Sequence, residues 1–200
     1  EITTRLVGSE MCIRDRYREV YTIWFVRLFS HHNHRIYICI SLRILRTNNT
    51  KMSRLVKEYK AIMAQDDILL LPQTQDDLAS WIAILVGPKD TPFEGYDFRL
   101  LITIPESYPN TPPQVKFEPN HMPHVNVNYE TGEICLDILK GEWSPVYNLL
   151  YTVQSIQRLL SEPNADSPLN LELGILMREG DQAAYNGLVK YYLTRNDSTK

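Results

Sequence analysis

Residues 121–145 read HMPHVNVNYETGEICLDILKGEWSP, a stretch too polar and too rich in turn formers for a helix or a strand, yet flanked on both sides by regular pattern. A connection longer than about 15 residues is usually functional or disordered. Downstream, Leu149, Leu150, Val153, Ile156, Leu159 and Leu160 recur at helical spacing, the strongest helix signal in the chain. Upstream, Gln114–Glu118 reads as a short strand, separated by the Pro-rich segment Pro105–Pro113 from another over Phe98–Ile104. Before these, Leu78–Val86 alternates. Leu78, Ser80, Ile82, Ile84 and Val86 fall on one side and Ala79, Trp81, Ala83 and Leu85 on the other, as in a largely buried strand that ends at the Gly87-Pro88 turn.

Farther out, Leu55, Val56, Tyr59, Ile62 and Met63 define an amphipathic helix from Met52, with Ser53 as its expected N-cap. Arg54, Lys57, Glu58 and Lys60 are expected on its outward face, as a solvated surface or a docking one. Two more helices fit Leu169–Arg178 and Asp181–Thr194. The second has Asp181 as N-cap and Ala184, Tyr185, Leu188, Val189 and Tyr192 facing inward. Helix, meander of strands, long loop, then helices is an α+β layout with an antiparallel sheet. No internal repeat is visible.

The chain has 200 residues, 44% hydrophobic and 22% charged, which suits one well-packed domain. Residues 1–51 hold nine Lys/Arg against four Asp/Glu, while residues 52–200 hold twelve against twenty. A basic first part and an acidic body with no basic stripe make nucleic acid an unexpected partner. Cys12, Cys39 and Cys135 are too few for a disulfide framework and imply a reducing compartment. Arg27 and the run from His31 to Arg35 interrupt the apolar stretches, so no direct membrane span is expected.

Residues 1–51 show no sustained period. The run from Gly8 to Arg16 resembles a recurrent library artefact of translated assemblies, and Met52 is a natural start. Residues 1–51 are therefore expected to be a non-native or disordered extension, residues 52–195 the catalytic domain, and residues 196–200 a polar tail. The histidine cluster is a weak metal candidate.

By itself Cys135, between Ile134 and Leu136, reads as a small buried hydrophobe more readily than as a nucleophile. Asn126 alone reads as a turn residue, and the segment from Glu162 to Leu169 as a plain link between helices. The surrounding motifs change all three readings. His124-Val125-Asn126, the Gly132–Leu136 strip, Trp143-Ser144-Pro145, Trp81 with Gly87-Pro88, and Tyr108-Pro109 with Pro112-Pro113 occur in the order and spacing of the ubiquitin-conjugating enzymes. The chain resembles that family over residues 52–195.

The resemblance implies the family's fold: an N-terminal helix, a four-stranded antiparallel meander, a long active-site loop, a central helix and two C-terminal helices. It implies that Cys135 takes ubiquitin from the ubiquitin-activating enzyme as a thioester, poised for attack by an amine. Asn126 would donate to the oxyanion or organise the loop, a donor of that kind being worth about 2.7–4 kcal/mol. His124 would shape the loop. Ser167, where many members carry Asp, and Asp166 would position the incoming amine. Ligase docking would fall on Arg54, Lys57, Asn110, Trp143, Pro145 and Val146. No cofactor of its own and no metal is expected, since ATP serves the activating enzyme.

This chain departs from the pattern at three points. Val125 replaces the usual proline, the step from Asn126 to Cys135 is one residue longer than in many members, and Asn110 stands where many present a large apolar side chain. The subgroup it most resembles is the fungal peroxisomal ubiquitin-conjugating enzyme, through the stretches beginning at Met52, Asp166 and Gly180. That implies a cytoplasmic enzyme, peripheral on the cytosolic face of the peroxisome, working with RING ubiquitin ligases and a membrane-anchored recruiting protein on import receptors. The acceptor is then a lysine or a cysteine. The alternatives are a conjugating enzyme for another ubiquitin-like modifier and a catalytically silent binding module.

Overall fold

The computed structural model describes residues 20–31, 34–45, 50–64, 68–74 and 78–197, with 20–31, 34–45 and 196–197 described as backbone. Strands β1 (Val20–His31) and β2 (His34–Leu45) pair antiparallel, Val20 opposite Leu45 and His31 opposite His34. Both strands lie within the stretch expected to be a non-native or disordered extension. Thr22 to Val26 and Ile36 to Ile40 are dense in β-branched and aromatic residues, whose strand preference does not depend on clean alternation. The run Gly8–Arg16 lies outside the described residues, as do His32 and Asn33 of the histidine cluster. Among the described residues, no group of three or more His, Cys, Asp or Glu is placed to hold a metal.

Helix α1 (Thr50–Met63) begins ahead of the expected cap, so Ser53 lies inside it and exposed. No breaker precedes Met52, and Lys51 finds tertiary partners: its Nζ donates to Glu106 Oε1 at 2.8 Å and to the Ile104 carbonyl at 3.5 Å. Leu55, Tyr59 and Ile62 form the buried stripe. Lys57 and Lys60 are exposed as expected, but Glu58 is buried.

Strands β3 (Leu69–Pro72), β4 (Ser80–Val86), β5 (Asp97–Thr103) and β6 (Gln114–Phe117) form an antiparallel meander in chain order. Strand β3 comes from the unbroken apolar run Ile68 to Leu71, whose type periodicity cannot assign. The register lines Leu70, Ala83, Leu100 and Phe117 across all four strands, each at most 1% exposed. Trp81 beside Ile102, and Leu85 beside Phe98, extend that core face. Of the two sides of β4 it is therefore Trp81, Ala83 and Leu85 that are fully buried.

Helix α2 (Leu149–Ser161), capped by the Asn148 side chain on the Tyr151 N–H, adds Leu149, Val153, Ile156 and Leu160 to the same core. Each such side chain contributes about 1.5–3 kcal/mol by leaving water. Helix α3 (Leu171–Arg178) starts two residues later than its pattern: Asn170 is extended and serves as N-cap, its side chain accepting the Leu173 N–H, and the Leu169 and Asn170 N–H groups bond to the Val125 carbonyl. Helix α4 (Gln182–Asp197) opens with Asp181 Oδ1 accepting the Ala184 N–H and buries Tyr185, Val189 and Leu193. It runs on into the expected polar tail, whose residues 198–200 lie outside the described residues. Among the described residues no helix is long and apolar enough to cross a membrane.

Candidate active site around Cys135

The segment from Met122 to Val127 is buried throughout, with His124 and Asn126 as its two polar side chains, and it holds the strip that carries Cys135. Gly132 makes the approach possible. Its φ is +75°, it accepts the Phe117 N–H at 2.9 Å, and a Cβ placed on it would lie 1.9 Å from the Phe117 carbonyl oxygen. Only glycine tolerates both constraints. From there Val127 bridges Ile134, and the Cys135 N–H donates to the Asn126 carbonyl at 2.8 Å. Cys135 is left half-buried, followed by a short 3-10 turn at Asp137–Leu139. An open cleft of about 460 Å³ lies beside the strip, floored by Pro112, Pro113, Val115, Ile134 and Leu139.

Asn126 is 1% exposed, and its amide is used on both sides. Nδ2 donates to the carbonyls of Asn164 at 2.7 Å and Ser167 at 3.1 Å, and Oδ1 accepts the Asn164 N–H at 2.8 Å. One side chain thus pins the loop that follows α2 beside the thiol. Asp166 and Ser167 stand exposed on that loop, so the expected set of Cys135, Asn126, Asp166 and Ser167 belongs to two joined segments. Of the two roles expected for Asn126, this geometry serves loop organisation; donation to an oxyanion requires one of these bonds to be exchanged.

The departure at Val125 also has a local account. Its side chain is fully buried, with Cγ1 near Gly174, and its carbonyl takes the N–H groups of Leu169 and Asn170 at 2.8 and 3.0 Å. Val125 therefore ties the end of the same loop, at the N-cap of α3, to the segment that holds His124 and Asn126. His124 is fully buried against Phe93, the ring centroids 5.7 Å apart, and its Nδ1 accepts the Asn126 N–H at 3.0 Å. Burial lowers its pKa to about 4; the Leu159 carbonyl acts the other way, but no hydrogen bond of normal geometry joins it to Nε2. A neutral imidazole used as an acceptor is a loop former and not a base.

The expected docking residues divide. Lys57, Asn110, Pro145 and Val146 are exposed, Val146 at 81%. Trp143 is half-buried, donating from Nε1 to the Pro109 carbonyl at 2.8 Å and packing between Tyr108 and Tyr147. Arg54 is half-buried and bonded, to Glu58 at 2.5 Å and to the Tyr147 carbonyl at 3.0 Å. Sequence reading missed Glu58 and Tyr108 as organisers of this surface. Glu58 stands four residues after Arg54, a spacing that reads as a surface ion pair. Burial first, and the Glu58 carboxylate second, hold the Tyr108 phenol above its ordinary range.

The model of the family described as "Ubiquitin-conjugating enzyme" matches residues 54–193. The chain is 47% identical over 165 residues to the ubiquitin-conjugating enzyme E2-21 kDa of Saccharomyces cerevisiae, covering 76% of this chain and 90% of that protein. It is 46% identical over 142 residues to the ubiquitin-conjugating enzyme E2 pex4 of Dictyostelium discoideum, covering 70% and 95%. Among solved structures it is similar to the H. polymorpha ubiquitin conjugating enzyme Pex4p in complex with the soluble domain of Pex22p. The TM-score there is 0.68 and the identity 36%, over 72% of this chain and 97% of that one. With a half-exposed cysteine set on an asparagine-braced loop in the family's own order of elements, the chain belongs to the ubiquitin-conjugating enzymes.

Proposed function

We propose that the chain takes ubiquitin from the activating enzyme as a thioester on Cys135 and passes it, with a RING ligase, to a lysine amine or a cysteine thiol of a substrate. In the first step the Cys135 thiolate attacks the incoming thioester carbonyl, a new S–C bond forms, and the thiolate of the activating enzyme departs. In the second the acceptor attacks the same carbonyl and the Cys135 thiolate leaves. Asp166 and Ser167 position the acceptor, Asn126 keeps their loop in place, and a proton is lost from the attacking amine. The observation that carries this reading is the half-exposed Cys135, bonded through its own N–H to the residue whose side chain braces the facing loop.

The setting we propose is the cytosolic face of the peroxisome, where the enzyme ubiquitinates import receptors for recycling. The pex4 relative supports it. The Pex4p structure bound to a soluble domain of Pex22p supports recruitment by a membrane-anchored partner. The test is a charging reaction with ubiquitin, activating enzyme and ATP. A reductant-cleaved adduct, absent from Cys135→Ala, is expected. Its absence from the wild type, its persistence in the variant, or an adduct with another modifier alone overturns the reading.

A further inference from the structure

Glu58 is a carboxylate in the interior, 6% exposed, and a charge there persists only when donors replace its water. Three donors do so, and they come from three elements. Arg54 Nε of α1 lies at 2.5 Å, the Tyr108 hydroxyl of the proline turn at 2.7 Å, and the Leu149 N–H at the start of α2 at 2.9 Å. Arg54 also reaches the Tyr147 carbonyl, and Tyr108 packs against Trp143, which is itself bonded to Pro109. The docking residues Arg54, Asn110, Trp143, Pro145 and Val146 are thus either a Glu58 donor or within a few residues of a group in this network.

None of these bonds touches the Cys135 strip or the loop from Asn164 to Asn170. Those are fastened separately, by Asn126, Val125 and Gly132. Resting on the ligase-dependent transfer proposed above, we propose that Glu58 is a positioning residue for ligase docking: its one carboxylate fixes α1, the proline turn and the start of α2 relative to one another, and its donors Arg54 and Tyr108 in turn hold the Trp143 loop, while thioester chemistry proceeds without it.

The test uses the full chain and Glu58→Ala, Glu58→Gln and Tyr108→Phe, with thermal melts defining a temperature at which all are folded. Three rates are read: charging, discharge to free lysine without ligase, and discharge against the concentration of one RING domain. That domain is the one that most accelerates the wild type from a purified panel. The first two rates stay within about twofold of wild type. The half-saturating RING concentration rises about tenfold in Glu58→Ala and about threefold in the other two, with an unchanged plateau, since the Gln and Phe variants each keep part of the network. If Glu58→Ala does not fold, the other two carry the test. Loss of folded protein would lower all three rates together; that result, or an unmoved half-saturating concentration, overturns the proposal. A wild type accelerated by no RING domain fails the docking reading and this inference with it.

Discussion

His124 shows how a residue that takes no part in bond making leaves a measurable signature. Its folded pKa of about 4 lies below the ordinary 6.5. Above pH 6.5 the imidazole is neutral in folded and unfolded chains alike and adds no pH dependence. Between pH 6.5 and 4 the unfolded chain binds a proton that the folded chain refuses, so stability falls as pH falls, by about 1.4 kcal/mol per pH unit and about 3 kcal/mol in all. Below about 4 the slope vanishes. Urea denaturation from pH 7 to 4 should show this component in the wild type, and His124→Gln should lack it. That Cys135, Asn126 and His124 lie together was legible because each stands inside a motif. Glu58 was not, because an i, i+4 partner on an amphipathic helix looks the same whether the pair faces water or the core.

Between elements, tight backbone approach sets the geometry near the thiol. Gly132 allows the strip to lie on the end of β6 with no room for a side chain. Gly132→Ala should cost about 3 kcal/mol or more, combining a positive φ with a clash against backbone that cannot swing away. A urea midpoint within error of wild type would contradict that placement. Alternation found β4, and helical spacing found α1, α2 and α4, because each has one face in the core; β5 and β6 were read on either side of the Pro-rich segment. Strand β3 escaped, since Ile68 to Leu71 carries no period. The start of α3 was misread because Asn170, and not a residue ahead of Leu169, is its N-cap, a choice that the apolar spacing does not mark.

For the molecule as a whole, two separate hydrogen-bond centres emerge, one at Asn126 beside the Cys135 strip and one at Glu58 beneath the proposed docking surface. Helix α2 runs between them: its first N–H is held by Glu58, and the loop after its last turn is held by Asn126. Everything in that arrangement lies from Thr50 onward. Deleting residues 1–49 should therefore leave the rate of ubiquitin charging within about twofold. Cutting through Lys51 as well removes its ion pair with the 90% exposed Glu106, a contact worth about 0.2–1 kcal/mol. Loss of charging in the shorter deletion would show that the β1–β2 hairpin or its flanks are required.

The most direct measurement replaces the thiol by a hydroxyl. Wild type charged with ubiquitin should carry an adduct cleaved by thiol reductant, whereas Cys135→Ser should accumulate one that survives reductant and is cleaved by hydroxide, as an oxygen ester is. A reductant-sensitive adduct persisting in Cys135→Ser would contradict the assignment of Cys135 as the ubiquitin carrier.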